Sequence, residues 1–233
     1  MLVILCIFAQ MLDNDTRSKL KNIIDGIVIE GTTDTCTTTR NHLCTSFSTS
    51  TTVKRNFESK AITKEEQAEF LVKYATKNNL LLEHIPQNAI YLARGGESKV
   101  YFINSPKSVI KINDAIYYAT WLEFFNSVVI HNLLFPSTTY EFLGFLILED
   151  SLSAVLKQPF IISDCPVDLE DVKKLLAYNG FENTYRRGTP TNNYYNKELG
   201  LILEDIHDEN VISNTQNLFF IDTVFYTAFQ EQM

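Results

Sequence analysis

Residues 114–134 run without a glycine or proline, are dense in aromatic and aliphatic side chains, and stop short of Pro136. An unbroken run of this kind reads as one long helix, apolar on several sides, that other structure has to enclose. Its flanks supply that structure. Upstream, residues 89–93 and 99–103 read as two strands joined through Arg94-Gly95-Gly96-Glu97-Ser98, and Ser108-Val-Ile-Lys111-Ile112 reads as a third strand of the same antiparallel sheet. Downstream, residues 140–148 and 153–158 read as two further strands. The order is sheet, helix, sheet, and the fold class is α+β.

The remaining segments are shorter. Thr63-Lys-Glu-Glu66 is a capping box, in which the Thr side chain and the Glu satisfy each other's orphan backbone donors. It predicts a helix from there to about Asn78 that buries Phe70, Leu71 and Tyr74. Residues 32–52 are dominated by Ser and Thr with no helical or strand period, and read as a flexible segment. After Pro159, residues 168–180 predict a short helix with Leu169, Val172, Leu175 and Leu176 inward and Gly180 just past its end. Residues 185–196 read as a polar loop. Residues 199–203, 210–213 and 218–221 then read as short strands bracketing the loop 204–209. This divides the chain into an N-terminal extension, 1–62, and a domain over 63–233.

With 233 residues and 45% hydrophobic content, the chain can bury a substantial core. A net charge of -8 and a pI near 5.0 argue against a duplex nucleic-acid binder, which must neutralise phosphates. Cys6, Cys36, Cys44 and Cys165 lack C-x-x-C spacing, and His42, His84, His131 and His207 are scattered, so no zinc site is expected. Free thiols fit a reducing cytoplasm. Residues 2–9 are apolar but too short to span a bilayer and have no basic residue before them. They read as a frayed or buried terminal segment, or as translation upstream of a later start such as Met11, and no membrane span is expected.

The chemistry concentrates in Gly200-Leu-Ile-Leu-Glu-Asp205-Ile-His207-Asp208-Glu-Asn210-Val-Ile, followed by Phe219-Phe-Ile-Asp222. An Asp and an Asn on one tight loop, with a second Asp after a short hydrophobic run, is the arrangement phosphoryl transfer needs around ATP and Mg²⁺. Asp205 can face an acceptor hydroxyl while the Asn210 oxygen and Asp222 take the metal, since Mg²⁺ favours such oxygen ligands. Gly95 and Gly96, with Ser98 after them, let the backbone approach a phosphate, although a Gly-Gly hairpin tip is ordinarily only a turn. Lys111 stands where an ammonium reaches the phosphates, with Glu123 as its candidate partner, being the acidic residue well inside the long helical run. Singly, each of these has a bland explanation in turn chemistry or a solvated face. Together they keep the order and spacing that the mechanism demands.

These motifs resemble the protein kinase-like superfamily, and within it the atypical bacterial branch found in large polyvalent proteins of phages and conjugative elements. The resemblance covers about residues 85–233. Val109-Ile-Lys111 looks like the strand-three lysine motif. Asp205-Ile-His207-Asp208-Glu-Asn210 is similar to the catalytic loop, especially its Asp-Leu-His-x-x-Asn form in aminoglycoside and choline kinases. Asp222 stands where the metal-binding Asp of Asp-Phe-Gly falls, and Lys157-Gln158-Pro159-Phe160 falls at the adenine-holding hinge. The resemblance implies a two-lobed fold, with an N-lobe over about 85–158, a reduced and mainly helical C-lobe over about 162–233, and Mg·ATP in the cleft between them. It implies Asp205 as catalytic base or hydroxyl-orienting residue, with Asp208 its rival, Asn210 and Asp222 as metal ligands, Lys111 on the phosphates, and His207 in a structural role. Gln158 and Phe160 would border the nucleotide. Departures are visible: Leu203-Glu204 stands where His-Arg or His-Gly is usual, two glycines replace three, and Thr223 replaces Gly after Asp222. With the sequence ending at Met233, no activation segment or following helices are expected. The implied activity is γ-phosphoryl transfer to a hydroxyl on an unidentified protein. The alternatives are a pseudokinase that acts as an interaction module, and a small-molecule phosphotransferase.

Overall fold

The computed structural model describes residues 13–47, 57–96, 98–214 and 217–227. The apolar residues 2–9, Met11, Glu97 and the 48–52 portion of the Ser/Thr-rich stretch lie outside the described residues. The helices are α1 (Asn14–Ile24), α2 (Thr35–Phe47), α3 (Phe57–Lys77), α4 (Trp121–Leu134) and α5 (Leu169–Tyr178). The strands are β1 (Ile90–Arg94), β2 (Ser98–Asn104), β3 (Lys107–Asn113), β4 (Glu141–Leu148), β5 (Ser151–Pro159), β6 (Glu182–Arg186), β7 (Thr189–Asn196), β8 (Leu201–Glu204), β9 (Val211–Asn214), β10 (Asn217–Phe220) and β11 (Val224–Thr227). Among the described residues no helix is long and apolar enough to cross a membrane. Two compact units emerge: one of Glu30–Phe125 and Thr139–Phe160, the other of Met1–Ile29, Asn126–Thr138 and Ile161–Met233.

The first unit is built on a five-stranded antiparallel sheet in the order β1-β2-β3-β5-β4, the strands that the alternating apolar runs predict. Because side chains alternate along a strand, β3 buries Ile110 and Ile112 on one face with Ile103, Leu146 and Val155. Its other face carries Lys111, whose cross-strand partners are Val100 and Leu156. Trp121 and Phe125 from the start of α4 meet Phe145 and, for Phe125, also Phe142 of β4 edge to face, and Phe124 packs between Trp121 and Phe125. The outer edge of β4 is capped where Phe145 N–H donates to Leu80 O at 2.7 Å and Leu82 N–H donates to Phe145 O at 2.8 Å. Gly144 permits this approach: its φ is +145°, and a Cβ there would lie 2.2 Å from Leu80 O.

Helical boundaries differ from expectation in three places. Residues 35–47 of the stretch read as flexible are helical as α2, because Asp34 accepts from Thr37 N–H at 2.8 Å, Thr45 Oγ1 donates back to Asn41 O at 2.7 Å, and Cys36, Leu43 and Cys44 are buried. Threonine hydroxyls turned onto the helix's own carbonyls satisfy themselves, so a Ser/Thr-rich composition does not forbid a helix that tertiary packing favours. Helix α3 starts at Phe57, ahead of the Thr63 capping box, since residues 57–62 contain no breaker to end it. Leu71 is buried as expected, while Phe70 and Tyr74 are partly buried, Phe70 against Phe47 and Tyr74 against His42, both of α2. Helix α4 starts at Trp121 instead of residue 114. Asn113 Oδ1 accepts from Ala115 N–H at 2.7 Å and Asp114 Oδ1 from Ile116 N–H at 3.1 Å, and these side chain–backbone turns hold Ala115 at φ 56°. Thr120-Trp-Leu-Glu123 is the working cap, with Glu123 N–H donating to Thr120 Oγ1 at 3.1 Å and Glu123 Oε2 accepting from Ala119 N–H at 3.0 Å.

The second unit corrects the mainly helical expectation. Beyond residue 160 its described part holds one helix, α5, and six strands, β6 to β11, in a four-stranded sheet ordered β11-β8-β7-β6 and a β9–β10 pair. The residues read as a polar loop, 185–196, lie in the β6–β7 hairpin. Arg187 and Gly188, at φ 53° and 82°, form a turn whose twist matches paired strands. Thr184 and Thr191 hydroxyls bond at 2.6 Å, so the polar side chains satisfy one another across the ladder. Helix α5 is capped by Asp168 and buries Val172, Leu175 and Leu176 as predicted, while Leu169 in its first turn stays exposed.

Candidate active site

Two strand pairings bring the predicted acidic loop and Asp222 together. Val211 of β9 pairs with Phe220 of β10, and Val224 of β11 pairs with Glu204 of β8. Loop 205–210 and residues 221–223 are thereby held between the same strand ends. Asn210 O accepts from Ile221 N–H at 3.0 Å and from Asp222 N–H at 3.4 Å. Its side-chain Nδ2 donates to Asp205 O at 2.8 Å and to Asp205 Oδ2 at 3.1 Å. Asp205, Asn210 and Asp222 therefore form one hydrogen-bonded group, with Asn210 at its centre.

Asp205 sits at φ 64°, a left-handed conformation that Asp adopts more readily than most residues. Its N–H donates to Asn193 Oδ1 at 3.2 Å, while Asn193 Nδ2 donates to Glu204 Oε1 at 3.3 Å. Ile206 N–H donates to Asn192 O at 2.8 Å and its side chain is buried. Strand β7 thus clamps the loop on both sides of Asp205. His207 Nε2 lies 3.0 Å from Asn210 Nδ2 and 3.5 Å from Asp205 Oδ1, inside the loop. Asp208 bears no hydrogen bond to Asn210 and its side chain is 75% exposed.

Because Nδ2 of Asn210 is engaged by Asp205, its Oδ1 is the atom left to take a cation. The Asp222 carboxylate, on the segment tied to the Asn210 carbonyl, is a hard oxygen donor of the same kind. Among the described residues no group of three His, Cys, Asp or Glu side chains could hold a metal unaided. Mg²⁺ is ordinarily bound through one or two carboxylates with substrate phosphates and waters completing its shell.

In the first unit, the strand register places Ser98, Lys111 and Gln158 on one face of the sheet, since Asn113 pairs with Ser98 and Val109 with Gln158. Lys111 is 8% exposed, donates from Nζ to Tyr140 Oη at 3.3 Å and lies 5.4 Å from that ring's centroid. Gly95 N–H closes the hairpin onto Ser98 O at 2.8 Å, and Tyr117 packs on Gly96. Phe160 N–H donates to Lys107 O, and its ring meets Phe102 edge to face at 4.9 Å. Glu123, the expected partner of Lys111, has a carboxylate oxygen on the cap of α4.

Four further residues were not foreseen. Asn193 orients the Asp205 backbone, and Asn113 Nδ2 donates to Ser98 Oγ at 3.1 Å. His131 Nδ1 lies 2.8 Å from Thr223 Oγ1, and Ser127 Oγ accepts from Phe225 N–H at 2.9 Å. Asn193–Asp205 and Asn113–Ser98 link neighbouring stretches 12 and 15 residues apart, while His131–Thr223 and Ser127–Phe225 link elements 92 and 98 residues apart, and only Thr223, by departing from glycine, offered a signal. Residues 64–229, which include every candidate site residue, match the sequence model of serine/threonine/tyrosine kinases found in polyvalent proteins. No curated protein matches the chain.

Proposed function

Because the chain belongs to the family of serine/threonine/tyrosine kinases found in polyvalent proteins, we propose that it transfers the γ-phosphoryl group of Mg·ATP to a hydroxyl on a protein. Phosphoryl transfer is the chemistry of this family, with ATP and a divalent metal its general requirements. The observation that carries the reading is the Asn210 tie, whose amide holds Asp205 and whose carbonyl holds the Asp222 backbone.

Each residue then has a role. Asp205 accepts a hydrogen bond from the acceptor hydroxyl and aims its oxygen at the γ-phosphorus. Asn210 Oδ1 and the Asp222 carboxylate would hold Mg²⁺. When bound, the metal neutralises charge on the phosphate oxygens. Lys111 supplies a positive charge to the nucleotide's phosphates, with Glu123 as its partner. The Gly95-Gly96 turn and Ser98 bring backbone and hydroxyl donors to the phosphates, while Gln158 and Phe160 border the adenine. Positioning and charge neutralisation supply nearly all of the rate in this chemistry.

The test is transfer from γ-labelled ATP to protein acceptors by purified wild type, Asp222→Asn, Asp205→Asn and Lys111→Ala. Each variant should lose about 10²-fold or more in rate while keeping its thermal midpoint near that of the wild type. Full activity in Asp222→Asn would sink the assignment. Nucleotide binding by wild type without any transfer would establish the alternative, a pseudokinase that serves as an interaction module.

One observation favours a second acceptor class. Asp208 and Glu209 are exposed beside Asp205, and such a carboxylate rim attracts cations. Running the same assay with cationic small-molecule alcohols beside polypeptides separates the two.

A further inference from the structure

We propose that His131 is a positioning residue for the metal site, holding Asp222 in place through the hydroxyl of Thr223; this rests on the reading of Asp222 as a metal ligand. His131 is 0% exposed, and its Nε2 lies 2.9 Å from Thr138 O. A carbonyl oxygen can only accept, so the ring proton is on Nε2. Burial disfavours a second, charging proton on the ring, so Nδ1 presents its lone pair to Thr223 Oγ1 at 2.8 Å, and Thr223 donates. Thr223 is itself only 7% exposed, so losing this bond would leave largely buried polar atoms poorly satisfied.

The bond belongs to a larger grip on the segment around Asp222. Ser127 and His131 lie four apart on one side of α4, and Phe135, one residue past its end with its N–H on His131 O, continues that spacing. Each holds a different residue of the segment. Ser127 Oγ accepts from Phe225 N–H at 2.9 Å, His131 takes the Thr223 hydroxyl, and Phe135 stacks on Phe220 with ring centroids 4.4 Å apart. Asp222 lies between these anchors, and its N–H is tied to Asn210 O on the loop side. A glycine at 223 would have no side chain for His131 to hold. The threonine hydroxyl supplies the tie, and it restricts the backbone next to Asp222.

The consequence is a metal site organised before the metal arrives. Removing the hydroxyl should weaken Mg²⁺ binding without emptying the site, because Asp222 keeps its carboxylate but loses part of its orientation. Outer-sphere partners of metal ligands commonly contribute about 10–100-fold in affinity.

The experiment measures the Mg²⁺ concentration giving half-maximal thermal stabilisation at saturating non-hydrolysable ATP analogue, for wild type, Thr223→Val, Thr223→Ser, His131→Leu and Asp222→Asn. Thr223→Val preserves shape and removes only the hydroxyl. It should raise that concentration about 10-fold, with Thr223→Ser restoring the wild-type value. His131→Leu should match Thr223→Val, and the double variant should be no worse than either. Wild-type Mg²⁺ dependence in Thr223→Val would overturn the inference alone. No Mg²⁺-dependent stabilisation in wild type, or its persistence in Asp222→Asn, would overturn the metal role of Asp222 and this inference with it. If His131→Leu does not fold, the Thr223→Val and Thr223→Ser pair decides the question.

Discussion

Asp205 occupies a left-handed backbone conformation that costs a residue bearing a Cβ on the order of 1 kcal/mol. It is held there by Asn193, whose amide oxygen takes the Asp205 N–H while its nitrogen takes Glu204. Asn193→Ala removes both, so the carboxylate should sample non-productive orientations. We expect transfer to slow about 10-fold or more with nucleotide affinity unchanged, checked by comparing kcat with the thermal shift induced by the ATP analogue. Equal losses in binding and turnover would show that Asn193 serves the fold rather than the loop. Asp205, Asn210 and Asp222 were legible from the sequence because their spacing is local chemistry on one loop and the strand pair after it. Asn193 was not, since residues 185–196 read as loop, and nothing in a polar stretch reveals which asparagine will meet a backbone N–H twelve residues on.

At the scale of elements, the exposed cap and the buried glycine make opposite demands. Asp168 caps α5 by accepting from Glu170 N–H at 2.9 Å, and this was readable from the Asp before an amphipathic run. Asp168→Ala should cost about 1 kcal/mol in chemical denaturation with an unchanged m-value. Gly144 was read simply as part of a strand. Its positive φ and its closeness to Leu80 O mean that Gly144→Ala must displace the chain that covers the β4 edge. The expected loss is on the order of 3 kcal/mol, measured the same way, and a cost below 1 kcal/mol would contradict that edge contact. The five strands of the first sheet were legible because alternation and a Gly-Gly turn mark them. Helix α2 was not, because its stability comes from burying Cys36, Leu43 and Cys44, which composition alone does not disclose.

For the whole molecule, a ligand that binds only the native state must raise its stability, by about 2.7 kcal/mol at a hundred times Kd. Mg·ATP should therefore shift the thermal midpoint upward, and Asp222→Asn should abolish the Mg²⁺-dependent part. An equal shift with and without Mg²⁺ would sink the metal assignment. The net charge of -8 rules in favour of local contacts to the nucleotide over any broad phosphate-binding surface. By itself the sequence determined the apolar helical run, the strands of the antiparallel sheet, the strand position of Lys111 and the spacing of the Asp-Asn-Asp set. All of these are written in short-range periodicity and spacing, which act before the chain folds back on itself. Only the tertiary structure decided that residues 185–196 pair in a hairpin rather than form a loop, that Glu123 caps its own helix, and that His131 and Asn193 hold the residues flanking the chemistry. Those outcomes depend on which distant hydrogen-bonding groups are desolvated together, a choice made by packing and left open by any single stretch of sequence.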